Sequence, residues 1–225
     1  MTSSEQLLSI SLVGFYLGIL ILISETLRRY YKTNSEITRK IVHIGAGQVI
    51  LLAWWLNIPS HLIILASFGA SLVAITSYVF PILPSVNGVG RHSLGTLFYA
   101  LSIGILTFLF WDQSLPQFTA IGILIMTWGD ASAALIGRRW GKNKYHFLGS
   151  KKSWEGTLTM FLVSAIVVLS ILVFVYPWHS SLIILALLTA IIAAVLEIFS
   201  MVGIDNLTVP VFSAVFCHYL LPLFS

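Results

Sequence analysis

Pro116-Gln-Phe-Thr-Ala-Ile-Gly-Ile-Leu-Ile-Met-Thr-Trp-Gly-Asp130-Ala-Ser-Ala-Ala-Leu-Ile-Gly137-Arg-Arg-Trp-Gly-Lys142 is an apolar run that holds one carboxylate and ends in a cluster of bases. Its apolar part has the length of a membrane span, since a helix needs about 20 mostly apolar residues to cross the hydrocarbon. The rest of the chain repeats the pattern. Eight stretches qualify or nearly do: residues 7–24, 41–57, 61–80, 94–111, 116–136, 157–176, 181–196 and 207–224. Of the 225 residues, 58% are hydrophobic and 9% charged, and the mean hydropathy is +0.96. A soluble domain carries roughly 25% charged residues, so there is too little polar surface here to cover a globule in water. The expected fold is therefore an all-α integral membrane protein. It is a single domain over residues 1–225, a bundle of about eight transmembrane helices.

The charges are placed as membrane topology demands. Arg28, Arg29, Lys32, Arg39 and Lys40 lie between the first two spans, and Arg91 between the third and fourth. Arg138, Arg139, Lys142, Lys144, Lys151 and Lys152 lie between the fifth and sixth. Alternate loops thus hold all 12 bases, and bases mark the cytoplasmic side. Both termini are then expected on the non-cytoplasmic side, with Glu5 and Asp112 as the acids there. The net charge of +4 reads as a topology signal, and nucleic acid is not an expected partner. Met1 to Gln6 contains Glu5 and no base, whereas a cleavable signal needs a positive leading segment. The first span is expected to be retained. The single cysteine, Cys217, excludes an internal disulfide and reads as a small apolar residue within a helix.

Asp130 is the residue most in need of explanation. It lies 14 residues beyond Pro116, roughly 21 Å at the helical rise of 1.5 Å per residue. That depth is inside the cytoplasmic half of the hydrocarbon, where a lone carboxylate costs about 3 kcal/mol. Such a residue marks function by default, with a partner or a metal nearby; a structural pairing with a base such as Lys151 is the alternative. Ala133, Gly137 and Gly141 recur every fourth residue on one face. They serve either close helix packing or close approach of backbone to a phosphate.

Leu148-Gly-Ser-Lys-Lys-Ser-Trp-Glu-Gly-Thr157 is a short polar turn leading into the sixth span. Ser150 or Ser153 can cap that helix. Lys151 and Lys152 can meet phosphate oxygens as point charges, and Glu155 can help to hold a divalent ion. Glu197 ends the seventh span, and Asp205 and Asn206 begin the eighth, where either can act as a cap. Asp130, Glu155, Glu197 and Asp205 thus come from the facing ends of four consecutive helices, with six bases between the first two. Mg²⁺ binds few carboxylates and many phosphate oxygens, so this set suits a metal–nucleotide site at the cytoplasmic face. Arg39, Lys40 and His43 open the second span and Arg91 opens the fourth, adding bases to the same face. The spacing of a Walker A loop is absent. No run reads as a convincing strand, and there is no paired-cysteine zinc site, Gly-x-Ser-x-Gly elbow or His-Glu-x-x-His.

Taken together these pieces resemble the CTP-dependent polyprenol kinase family of phytol, farnesol and dolichol kinases. The matching motifs are Arg39-Lys-Ile-Val-His43, Arg91-x-Ser-x-Gly95-Thr, and Gly129-Asp-Ala-x-Ala-x-x-x-Gly137-x-x-x-Gly141. Lys151-Lys-Ser-x-Glu155-Gly and Glu197…Asp205-Asn-Leu-Thr-x-Pro210 follow in the family's order. The compact length is similar to that of bacterial or plastid phytol kinases. The resemblance implies phosphorylation of an isoprenoid alcohol, phytol first and farnesol, geranylgeraniol or dolichol as alternatives. It implies CTP as donor, Mg²⁺ as cofactor, a bacterial inner, thylakoid-type or plastid membrane as location, and tocopherol or prenyl-lipid synthesis as destination. CDP-diacylglycerol synthases share a Gly-Asp…Lys-x-x-Glu-Gly segment but end in a block that this chain lacks.

On that reading Lys151 and Lys152, with Arg138, Lys142, Gly137, Gly141, Ser153 and Asn206, hold the nucleotide. Asp130, Glu155 and Asp205 are the catalytic candidates, and with Glu197 they are also the candidate metal ligands. A small transporter is the rival from another class. It would carry ionisable groups along a path near the bilayer midplane, whereas here they gather at one face.

Overall fold

The computed structural model describes residues 3–30, 35–79, 94–147, 150–200 and 202–224. The helices are α1 (Ser3–Tyr30), α2 (Ser35–Trp55), α3 (Ser60–Val79), α4 (Gly95–Phe110), α5 (Pro116–Leu124), α6 (Ala131–Trp140), α7 (Trp154–Val175), α8 (Ser181–Ile198) and α9 (Asp205–Leu220). A π-helical segment, Ile125–Asp130, joins α5 to α6, so Pro116–Trp140 runs as one span. Among the described residues six helical runs are long and apolar enough to cross a membrane, and Lys40–Trp55 and Gly95–Phe110 are shorter apolar helices. The protein is an all-α membrane protein, and these eight apolar helical runs among the described residues match the expected set of about eight.

Two short strands differ from expectation. β1 (Lys144–Phe147) and β2 (Ser150–Ser153) pair antiparallel, with Tyr145 opposite Lys152 and His146 opposite Lys151. Four residues a side are too few to show a period of two convincingly, which is why the segment reads as a turn in the sequence.

α5 sits at the centre. Every residue from Gln117 to Leu124 is buried, and α2, α4, α7 and α9 pack around it. A helix that is apolar on all sides belongs in such a position. Pro116 at its first turn lacks only a donor that no helix start can use. Gly122 lets α9 approach, since a Cβ there would stand 2.5 Å from the Pro210 carbonyl. α1 packs on α2 and α3 on α4, leaving a cleft between the two pairs.

Candidate active site

The π segment positions the central carboxylate. Thr127 Oγ1 donates to the Ile123 carbonyl at 2.5 Å, and such back-bonding competes with the helical ladder. The Tyr99 hydroxyl stands 3.4 Å from the same oxygen, and the Tyr99 ring packs on His43 with centroids 4.6 Å apart. Gly47 of α2 lies directly against Thr127, where a Cβ would collide. That close approach brings the start of α2 beside the end of the π segment. Lys40 Nζ then meets Asp130 Oδ2 at 2.5 Å, with the two side chains only 10% and 19% exposed. The partner that a deep carboxylate requires is therefore Lys40, not Lys151.

α6 presents two faces with the same four-residue step. Asp130, Ala134 and Arg138 line a cavity. Gly137 and Gly141 face α7, where a Cβ on Gly137 would stand 2.9 Å from Ser153 Oγ and one on Gly141 2.6 Å from the same atom. Gly156 answers from α7, 3.0 Å from the Ala133 carbonyl by the same construction. The glycine stripe is filled by Ser153 and the first turn of α7, which is the close-packing reading of those glycines. Ser153 is buried there too, and its hydroxyl caps α7 by accepting from Gly156 N at 3.2 Å.

The hairpin separates the two lysines. Lys152 turns inward: its Nζ donates to Glu197 Oε1 at 2.6 Å, to Ser200 Oγ at 2.8 Å and to the Glu197 carbonyl. A cation at the last carbonyls of α8 also suits the helix dipole. Lys151, on the other side of the pleat, is exposed. Glu155 Oε1 accepts from the backbone N–H groups of Lys142 and Asn143, each at 3.1 Å, and from the Asn143 side chain at 3.0 Å. It ties the α6–β1 loop to α7. Tyr145 stacks on Trp154 and shares a 2.7 Å hydrogen bond with Thr157, and burial raises its phenol above the ordinary value.

A cavity of about 1060 Å³ occupies the cleft between the α1–α2 and α3–α4 pairs. Its polar end carries Lys40, His43, Asp130, Arg138, Asp205 and Asn206, with Ser150 and Ser200 beside them. Away from these the walls are apolar, formed by side chains such as Val13, Val49, Ile50, Ala66 and Ile103. Asp130 is within electrostatic reach of Lys40, His43 and Lys152, and Asp205 of Asp130, Lys152 and Glu197. Acids and lysines far apart in the chain thus converge at one end of an otherwise greasy tunnel.

Relatives with named activities are consistent with this shape. The chain is 52% identical over 207 residues to a phytol kinase of Synechocystis sp., covering 92% of this chain and 89% of that protein. The chain belongs to the phytol kinase family. It is also 29% identical to phytol kinase 1, chloroplastic, of Arabidopsis thaliana, over 68% of this chain and 53% of that protein. Farnesol kinase, chloroplastic, of the same plant is 30% identical over 56% and 44%. The chain spans about half the length of these two plant relatives. No family model matches the chain, and no solved structure matches it.

Within this phytol kinase family chain, the candidate residues divide. Asp130, Lys40, His43, Arg138, Asp205 and Asn206 face the cavity. Glu197 is engaged by Lys152, and Glu155 and Ser153 serve the α6–α7 junction. Lys142 and Lys151 are exposed on the surface. Arg91 and the Arg39 side chain lie outside the described residues. Among the described residues no three of His, Cys, Asp and Glu gather closely enough to hold a metal by themselves. The four carboxylates Asp130, Glu155, Glu197 and Asp205 therefore form no cage. Asp130 and Asp205 both line the polar end of the cavity, and two carboxylates suit an ion that takes its other ligands from phosphate and water. The sequence pointed to Asp130 but not to its counter-ion. Arg39 and Lys40 stand side by side in the sequence, and nothing in it singles out Lys40 as that partner.

Proposed function

We propose that this protein is a kinase that transfers the terminal phosphoryl group of CTP to an isoprenoid alcohol, phytol first among them. The observation that carries the reading is the two-part cavity: a charged end around Lys40–Asp130, continuous with an apolar tunnel inside the membrane bundle. A hydroxyl on a long hydrocarbon tail matches both parts at once, and burying the tail gains about 0.8 kcal/mol per methylene. The phytol and farnesol kinases among the relatives favour the same chemistry over the transporter.

Phosphoryl transfer needs positioning and charge neutralisation above all. The alcohol oxygen bonds to the γ-phosphorus, the bond from that phosphorus to the bridging oxygen breaks, and CDP leaves. Asp130 orients the hydroxyl and receives its proton, while Lys40 balances the carboxylate. Arg138, at the cavity wall, faces the incoming phosphates, with Lys142 and Lys151 supplying charge at the surface beyond. Asp130 and Asp205 would hold Mg²⁺, which supplies charge neutralisation on the phosphates when bound. The monophosphate product would feed tocopherol or related prenyl-lipid synthesis.

The test is a membrane preparation given phytol, Mg²⁺ and each nucleoside triphosphate in turn. CTP is expected to give the highest rate. Asp130→Asn is expected to lower it by about 10²-fold or more, the scale of a lost general base. A variant that keeps most of the wild-type rate removes Asp130 from the chemistry.

A further inference from the structure

We propose that Ile58 is the floor of the tail tunnel and sets the longest isoprenoid chain this enzyme accepts; the proposal rests on reading the cavity as the site of the alcohol's tail. Three observations meet at this residue. First, Ile58 lines the cavity at the end remote from Lys40 and Asp130. With Ala53 and Ile63 it forms a small buried cluster separate from the main core, against which Val13, Leu62 and Trp111 pack. Second, Ile58 also walls a second pocket of about 430 Å³, lined by polar groups that include Asn57, Ser60, His61 and Asp112. It is thus the partition between an apolar tunnel and a polar pocket. Third, the partition is held from both sides. The Ile58 N–H donates to the Ala53 carbonyl at 2.9 Å, and its own carbonyl accepts from Trp111 Nε1 at 2.9 Å.

The geometry gives the tunnel a ruler. Lys40 and Ala53 both line it from α2, and the 13 helical steps from one to the other span roughly 20 Å at the helical rise. A tail anchored by its hydroxyl beside Asp130 must end near Ala53 and Ile58. Ala53 leaves space there that a larger side chain would fill. Beyond Ile58 the walls turn polar, so a longer tail would have to displace the isoleucine and then lie against groups that gain nothing from hydrocarbon.

The experiment uses the full chain in membranes, CTP, Mg²⁺ and linear prenyl alcohols of increasing isoprene number. Ala53→Leu is expected to lower kcat/KM on the longest accepted alcohol by about tenfold relative to the shortest, the scale of a methylene-sized misfit in an apolar pocket. Ile58→Ala is expected to change the ratio in the opposite direction. Unchanged length profiles in both variants overturn the proposal. A wild-type protein that phosphorylates no alcohol overturns the kinase reading instead, so the two failures are distinct. An independent arm needs no substitution: an alcohol carrying a diazirine at its tail end is photolysed on the wild-type protein. Crosslinks within residues 53–63 support the floor at Ile58, and crosslinks confined elsewhere refute it.

Discussion

Lys151 and Lys152 are chain neighbours with opposite surroundings, because successive side chains of a strand point to opposite faces. Lys152 is nearly covered and holds Glu197 and Ser200, whereas Lys151 stands in solvent. Removing one member of a buried ion pair strands the other, which costs about 3–5 kcal/mol. Exposed substitutions away from special features stay within about 0.5 kcal/mol. Lys152→Ala is therefore expected to lower the melting temperature of the detergent-solubilised protein clearly. Lys151→Ala should leave melting nearly unchanged and raise KM for the nucleotide instead. Equal melting shifts in the two variants would contradict the distinction. The pair Lys-Lys in the sequence suggests phosphate binding by both residues. It conceals the division because the hairpin that sorts them is only four residues long on each side.

At the scale of elements, α6 has one face that packs on α7 and another that lines the cavity. The four-residue recurrence of Ala133, Gly137 and Gly141 is plain in the sequence. What fills the space beside it is not, because that depends on how α7 begins. Ser153 caps α7 and at the same time occupies the glycine face. Gly137→Leu would drive a branched side chain into Ser153 and Gly156, and overpacking of this kind costs about 1–3 kcal/mol or more. Gly69 on α3 has nothing within 4 Å of its Cβ position, so Gly69→Leu serves as the matched control. The first substitution is expected to reduce both folded yield and kinase rate, and the second to leave both intact. A Gly137→Leu protein as stable as the control would show that α6 and α7 do not approach as closely as described. The π segment was equally hidden, because Ile125–Asp130 keeps an ordinary apolar pattern while Thr127 bends the ladder. The same holds for Lys40 as the partner of Asp130. Arg39 and Lys40 differ by one step of about 100° around the helix, and the sequence alone does not say which of them meets Asp130.

Over the whole molecule, the spans, the Pro116 start and the gathering of charge at one end follow from simple quantities, namely apolar length and the placement of bases. These survive without knowledge of packing because the bilayer itself imposes them. The same logic predicts an orientation that can be tested. Lys40 and Arg138 meet Asp205 at the polar end of the cavity, and Lys142 and Lys151 lie on the adjoining connection from α6 to α7, while Asp112 and residues 177–180 between α7 and α8 lie at the opposite end, where Gln117 bonds Tyr176. Bases remain on the cytoplasmic side, so the charged mouth of the cavity should open to the cytosol, where nucleoside triphosphates are available. The native Cys217 is buried, which leaves a quiet background for thiol labelling. His179→Cys is expected to react with an impermeant maleimide on intact cells, and Lys144→Cys only after permeabilisation; both positions are exposed. The reverse pattern would put Asp130 and Arg138 on the side without nucleotide. The tunnel would then need a phosphoryl donor from the other compartment, and the CTP kinase proposal would fail even though the cavity remained.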